Sequence, residues 1–136
     1  MSNINIDMNC LEVFGGNFKS LQDVEKYMEI INGKPEKFME ELYLQGDFVG
    51  HIEYKFFDKN ENKAEELLKD FPYGEKIVEI LKAKFADKLK RKVNTIIVIY
   101  DFSLSNHFSR HSLKQMKEKK TDEYHIFNVE NVYPYR

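Results

Sequence analysis

The sequence predicts an α+β fold, in which helices pack on a single sheet that is mostly antiparallel or mixed. Three patterns indicate this fold. Residues 96–100 are five consecutive large apolar residues, which is typical of a strand buried on both faces. Residues 52–56 alternate between apolar and charged side chains, as a half-buried strand does. Residues 75–90 repeat apolar side chains at helical spacing.

Size and composition predict one soluble domain that spans residues 1–136. The chain is 42% hydrophobic and 14% aromatic, with 11 Phe, 8 Tyr and no Trp, so it has ample material for one core. The single cysteine, Cys10, excludes an internal disulfide and favours a reducing compartment. No secretory signal pattern and no apolar run of membrane-spanning length occurs. We therefore expect a cytoplasmic protein.

The first third of the chain begins with a predicted strand over residues 10–14 and a sharp corner at Gly15-Gly16. A helix over residues 20–31 follows. Ser20 is a suitable N-cap for it, and an acidic residue three positions later suits a capping box. This stretch predicts a strand, a turn and a capped amphipathic helix.

The remaining elements give the predicted order β-α-α-β-α-α-β-β. They are a helix over 36–44, a strand over 48–57, a polar turn at 58–62, a helix over 63–70, the long helix 75–90 ending in a basic cluster at 90–92, and strands over 94–102 and 122–133. The last two strands can pair antiparallel with each other, which favours the α+β class.

Charge is distributed unevenly along the chain. Residues 1–81 carry 17 acidic and 9 basic side chains, whereas residues 82–120 carry 11 basic and 3 acidic ones. Such asymmetry indicates a charged partner or two solvated faces of one domain.

Candidates for chemistry are few. Gly15-Gly16 lacks the phosphate-binding glycine patterns, and His107 and His111 lack the intervening glutamate of a helical zinc site. Glu65 and Glu66 are helix neighbours whose side chains diverge. We therefore predict a protein that is not an enzyme, with no metal, cofactor or small-molecule substrate.

A nucleic-acid-binding module is one alternative. Residues 82–120 are basic and include Phe85, Phe102 and Phe108, which suit a groove with stacking aromatics. However, the whole chain has a pI of about 6.1 and no helix-turn-helix, zinc or RNA-recognition signature. Nucleic acid is therefore not the expected partner. A general protein-interaction domain is a second alternative.

A family resemblance adds to this interpretation. Residues 11–27 combine a strand, the turn Gly-Asn-Phe-Lys-Ser at 16–20, and a helix with apolar side chains at helical spacing. Phe-Pro-Tyr at residues 71–73 precedes a second helix, and Ile-Ile-Val-Ile-Tyr-Asp-Phe at 96–102 precedes a closing strand. The arrangement resembles the immunity protein 22 family of bacterial polymorphic-toxin and contact-dependent inhibition systems. It is close over the first stretch and looser over most of the chain.

The resemblance implies an antitoxin that binds and blocks a cognate toxin domain, often a nuclease. Nucleases carry basic residues to hold phosphates, so an inhibitor benefits from carboxylates that speed encounter. Exposed aromatic side chains are frequent anchors in such interfaces. The toxin-binding residues we expect are Asp47, Glu53, Tyr54, Phe57, Asp58, Glu61, Glu65 and Glu66.

Overall fold

The computed structural model describes residues 9–41, 51–102 and 118–136. Its elements, in chain order, are β1 (Leu11–Phe18), α1 (Leu21–Tyr27), β2 (Ile30–Ile31), β3 (Lys34–Pro35), α2 (Glu36–Glu41), β4 (His51–Lys63), α3 (Ala64–Leu68), α4 (Gly74–Phe85), β5 (Lys88–Tyr100), β6 (Glu118–Lys120) and β7 (Tyr124–Val132). Five strands form one sheet in the order β4-β5-β1-β7-β6, and every neighbouring pair is antiparallel. The predicted α+β class is confirmed, although the predicted order lacked the β2-β3 hairpin and β6.

Strand β1 lies at the centre of the sheet, between β5 and β7. Its residues Leu11, Val13 and Phe14 have no exposed surface, as expected of a strand covered on both faces. Strand β5, which contains the apolar run 96–100, is also interior because it pairs with both β4 and β1. The predicted pairing of residues 94–102 with the last strand is wrong, because β1 lies between them.

Gly15 and Gly16 lie inside β1, so the predicted corner is wrong. Both glycines permit a close approach of neighbouring strands. A Cβ on Gly16 would lie 2.7 Å from the carbonyl oxygen of His125, and one on Gly15 would lie 3.1 Å from Cγ1 of Val93. The contacts that require glycine here come from β7 and β5, which are distant in sequence.

Two hydrophobic clusters cover the two faces of the sheet. Helices α3 and α4 cover one face, which we call the α3–α4 face, with Leu68 and Ile77 among its buried residues. Helices α1 and α2 cover the opposite α1–α2 face, with Val24 and Phe38 among its buried residues. The sheet is therefore the middle of three layers, and the burial of apolar area on both faces stabilises the fold.

Helix α1 begins as predicted. The Ser20 hydroxyl oxygen accepts a hydrogen bond of 3.2 Å from the backbone N–H of Asp23, which satisfies one of the free donors of the first turn. The predicted helix is too long at its C-terminal end, because Ile30–Ile31 pair with Lys34–Pro35 in a hairpin. Gly33 forms the turn of this hairpin with φ 85°, a conformation that favours glycine.

Two further predicted boundaries are wrong. Residues 58–62, predicted as a turn, continue strand β4, although the pairing register shifts between Phe56 and Glu61. The long helix ends earlier than predicted, because Ala86 adopts φ 56° and ψ −129°, which a helix cannot contain. The basic residues 90–92 consequently lie on β5 and not at a helix end.

The longest helix in the described ranges is α4, with 12 residues, and no helix there is long and apolar enough to cross a membrane. His107 and His111, considered above as metal ligands, lie outside the described residues. Within 9–41, 51–102 and 118–136, no group of three or more His, Cys, Asp or Glu side chains is placed to hold a metal ion.

Candidate binding surface

Most of the predicted binding residues lie on β4 and α3, at one edge of the sheet. We call the exposed part of residues 51–70 the β4–α3 surface. This stretch contains six acidic and four basic side chains. The predicted alternation in β4 is confirmed, because Tyr54 lies opposite Ile97 on the α1–α2 face and Glu53 lies opposite Val98 on the α3–α4 face. Asp47 lies outside the described residues.

Glu61 has a structural contact at the end of β4. Its carboxylate accepts hydrogen bonds from the backbone N–H groups of Lys63, at 2.9 Å, and Asn62, at 3.0 Å. These bonds, chiefly that from Lys63, hold the pKa of Glu61 below its usual value. Since Lys63 is the N-cap residue of α3, the carboxylate orders the junction between β4 and α3.

Helix α3 directs its two glutamates outward. Ala64, Leu67 and Leu68 are buried against the core, so Glu65 and Glu66 are exposed on the opposite side of this short helix. Each glutamate is near a lysine: Glu65 pairs with Lys82 at 3.2 Å, and Glu66 lies 4.0 Å from Lys69. The surface is therefore a mixture of charges with an acidic excess.

The ion pair between Lys55 and Asp70, at 3.3 Å, connects β4 to the segment after α3. Glu53, on the same face of β4 as Lys55, lies next to His51, with Nε2 and Oε2 2.5 Å apart. Asp58 is exposed in the irregular part of β4. Glu53 and the α3 glutamates thus lie on the same side of the sheet.

The two predicted aromatic anchors differ in exposure. Tyr54 is 38% exposed at the sheet edge, on the α1–α2 face. Phe57 is partly buried and packs against the hydrophobic cluster of the α3–α4 face, with the Lys55 ammonium 5.4 Å from its ring centre. Tyr54 therefore offers more ring surface to a partner than Phe57 does.

A cluster of tyrosines, which the sequence did not indicate, lies at the N-terminal end of β4. The rings of Tyr73 and Tyr135 are 5.1 Å apart, those of Tyr135 and Tyr100 are 5.7 Å apart, and the His51 ring lies 5.9 Å from Tyr100. Tyr73 is 52% exposed, whereas Tyr100 and Tyr135 are buried. The tyrosines are far apart in sequence, so only the strand pairing reveals that they meet.

Hydrogen bonds hold the buried members of this tyrosine cluster in place. The Tyr100 hydroxyl donates to the Pro72 carbonyl at 2.7 Å, and the Tyr135 hydroxyl donates to Asp101 at 2.5 Å. Burial raises the pKa of both tyrosines, so both hydroxyls stay protonated at neutral pH. The exposed Tyr73 ring therefore packs on tyrosines that hydrogen bonds hold in place, next to the β4–α3 surface.

Part of the basic region considered for nucleic acid lies on the same α3–α4 face, towards the β7 and β6 end of the sheet. Arg91 pairs with Glu118 at 3.4 Å and lies over the Phe127 ring at 4.6 Å, and Lys84 pairs with Glu130 at 2.5 Å. Arg91, Glu118, Phe127 and Glu130 border a cleft of about 350 Å³. Acidic side chains from β6 and β7 thus neutralise part of the positive charge that a phosphate backbone would need.

The aromatic side chains proposed for that groove are not available together for stacking. Phe102 is buried, Phe85 is half-buried against the α3–α4 cluster, and Phe108 lies outside the described residues. This arrangement does not favour a nucleic-acid groove.

The fold and the surface define a small α+β protein whose most accessible polar and aromatic groups suit contact with another protein. The profile of the family described as Immunity protein 22 matches residues 11–125. The chain therefore belongs to the immunity protein 22 family, which confirms the resemblance drawn from the sequence. No curated protein and no solved structure gives a significant match.

Membership in this family implies a toxin-neutralising role, with a toxin as the partner, and the family is generally non-enzymatic. The match extends from β1 to the start of β7 and includes all of β4 and α3. Tyr135, in the tyrosine cluster, lies beyond the matched residues.

Proposed function

We propose that this protein neutralises a nuclease toxin domain in the cytoplasm by binding over its active site through the β4–α3 surface. The proposed contacts on this surface are Glu53, Tyr54, Phe57, Asp58, Glu61, Glu65 and Glu66, and Asp47, which precedes the surface in the chain, is a further proposed contact. The protein acts without a cofactor, by occlusion alone. Family membership supports the toxin partner, and the local acidic excess supports a basic target such as a nuclease.

The observation that carries the proposal is the position of the glutamates on α3. Leu67 and Leu68 are buried, so the helix is held firmly while Glu65 and Glu66 project outward beside the edge strand. The α3 glutamates offer charge on one face of the sheet, and half-exposed Tyr54 offers an aromatic anchor on the other face of the β4 edge.

Lysines within the surface weaken its negative electrostatic potential at long range, but they do not change the positions of its carboxylates. Lys82 is shared between Glu65, at 3.2 Å, and Asp87, at 4.0 Å, and all three side chains are largely exposed. Exposed ion pairs of this kind contribute about 0–1 kcal/mol, so a cationic partner can displace Lys82 at small cost. The glutamates are therefore accessible to basic residues of a toxin.

The test is a charge reversal in three positions, Asp58→Lys, Glu65→Lys and Glu66→Lys. Glu61 is left unchanged because its carboxylate binds two backbone N–H groups. We expect association with the cognate toxin domain, identified by co-purification from the source cell, to slow by about tenfold or more at low salt, with a smaller effect at high salt.

The matched control reverses three exposed acids far from this surface along the chain, Glu25→Lys, Glu29→Lys and Asp122→Lys. It makes the same change in net charge, so it measures the effect of overall charge alone. Equal slowing in the two triple variants, or no slowing in either, contradicts the proposed acidic interface. Thermal unfolding of each variant checks that the fold is retained.

A further inference from the structure

Over the first half of β4, no strand of the described residues pairs with its outer edge. Residues 51–56, which we call the edge segment, pair in unbroken register with residues 95–100 of β5. On the other side of the edge segment, the described residues supply no strand, since β4 is the end member of the sheet. Alternate residues of an antiparallel strand direct their N–H and C=O groups away from the paired neighbour. The edge segment therefore presents a row of backbone donors and acceptors.

The second half of β4 is less suitable for strand addition. The register with β5 shifts between Phe56 and Glu61 and again between Glu61 and Lys63, as in a bulged strand. Irregularities of this kind interrupt the ladder and are one way in which proteins protect sheet edges. The regular and open part of the edge is thus limited to residues 51–56.

The edge segment is held by a buried neighbour. Residues 95–100 of β5 are all buried, and they pair with β1 on their other side. An incoming strand would therefore meet a backbone that is already ordered, so the ordering cost falls on the incoming segment alone.

Side chains on the two faces of the edge segment specify what can lie beside it. Ile52, Tyr54 and Phe56 form an apolar row on the α1–α2 face, in which Tyr54 is the most exposed. On the α3–α4 face, Glu53 contacts the exposed His51 ring, with Nε2 and Oε2 2.5 Å apart, and Lys55 pairs with Asp70 at 3.3 Å. Cross-strand neighbours on the same face interact directly. An apolar residue suits the first face, and a basic residue beside Glu53 suits the second.

We infer that the toxin docks by adding an extended segment to the edge segment as a sixth strand, and that this segment alternates apolar and basic residues. Backbone hydrogen bonds provide the affinity for the added strand. The side chains of Tyr54 and Glu53 determine which toxin sequences can bind. The inference rests on the proposed function, since the segment belongs to the toxin. It assigns a mode of binding and a chemical pattern to the partner.

The test is residue-resolved amide hydrogen exchange by NMR, on this protein alone and bound to the toxin domain that co-purifies with it from the source cell. Strand addition predicts that alternate amides within residues 51–56 exchange quickly in the free protein and at least about tenfold more slowly in the complex. Amides of β6 at the other edge should keep their rates.

Three results overturn the inference. A complex that leaves the exchange rates of residues 51–56 unchanged contradicts strand addition but leaves the proposed function intact. Absence of any complex contradicts both. Protection of the edge amides in the free protein that grows with its concentration identifies a second copy of this chain as the occupant.

A pair of variants isolates the backbone contribution. At whichever of Glu53 and Tyr54 has the outward N–H, proline removes the donor without breaking a bond to β5, whereas alanine removes only the side chain. We expect the proline variant to bind the toxin domain about tenfold more weakly than the alanine variant, with both folded by circular dichroism. Equal affinities of the two variants contradict the inference.

Discussion

The two edges of the sheet are built differently. Strand β4 spans 13 residues and offers a regular stretch of six with an exposed tyrosine, whereas in the described part of the chain β6 comprises three residues, Glu118–Lys120, which pair with β7. At the β6 edge, Glu118 is also bonded to Arg91 and to the His125 ring. A short edge tied by side chains resists strand addition, while a long regular edge permits it. The difference supports the proposal that the partner docks at the β4 edge.

The largest expected effect comes from removing the support beneath the β4 edge. Leu68 on α3 has no exposed surface, so Leu68→Ala removes buried apolar contacts and leaves a cavity. We expect the free energy of unfolding to fall by about 3 kcal/mol, measured by urea denaturation. Toxin binding by the folded fraction should also weaken, since α3 carries Glu65 and Glu66.

The matched control is Leu21→Ala, at a leucine that is 48% exposed at the start of α1. It should change stability by no more than about 0.5 kcal/mol. Comparable losses for the two leucines would show that α3 is not anchored by its buried face.

A second prediction concerns the contact between β1 and β7, the strand that pairs with β6. Gly16→Ala places a Cβ 2.7 Å from the His125 carbonyl oxygen, so β1 and β7 must separate. We expect a loss of about 2 kcal/mol in urea denaturation. Amide exchange should speed up in β7 and β6 more than in β4. The substitution should therefore destabilise the β6 edge of the sheet more than the β4 edge.

Gly33 provides the contrast for this substitution. It has φ 85°, and no atom lies within 4 Å of the position a Cβ would occupy, so Gly33→Asn should be nearly neutral because asparagine tolerates that conformation. If Gly16→Ala is equally neutral, the close approach of β1 and β7 is not a constraint on this residue.

A smaller effect is the dependence of stability on pH, to which one glutamate at each edge contributes. The pKa values of both Glu61, on β4, and Glu118, on β6, are lowered in the folded protein. Each carboxylate therefore adds stability that is present above its unfolded pKa of about 4.5 and is lost as pH falls through the folded pKa. Glu61→Gln and Glu118→Gln should each reduce the loss of stability on acidification.

The pKa values of Glu61 and Glu118 are lowered by different interactions, and these interactions should differ in their sensitivity to salt. Backbone N–H groups, chiefly that of Lys63, lower the pKa of Glu61, whereas the His125 ring and the Arg91 charge lower that of Glu118. Because salt screens exposed charges, 1 M NaCl should reduce the effect of Glu118→Gln more than that of Glu61→Gln. Denaturation curves at pH 3 to 7 at both ionic strengths measure this difference, and equal salt sensitivity contradicts it.

Local patterns in the sequence predicted the fold class and several elements. The alternation over residues 52–56 identified the exposed strand and its two faces, the run 96–100 identified an interior strand, and Ser20 identified the start of α1. In each of these cases the side chains that determine the structure are close together in sequence, so periodicity or capping reveals them.

Features that depend on distant contacts could not be predicted in the same way. Gly15-Gly16 is typical of a turn, but the neighbours that require it come from Val93 and His125 on other strands. The polar residues 58–62 suggest a loop, yet pairing with β5 extends the strand through them. Likewise, Tyr100 and Tyr135 meet only because of the strand order.

The most direct test of the account blocks each edge separately. Tyr54→Cys and Lys120→Cys introduce a thiol at the β4 and β6 edges, while native Cys10 is buried. Each thiol is coupled to a bulky maleimide reagent, and protection against the toxin is measured from the residual toxin activity. The account predicts that the conjugate at residue 54 loses neutralisation and that the conjugate at residue 120 keeps it. Loss only with the block at residue 120 would contradict the central claim.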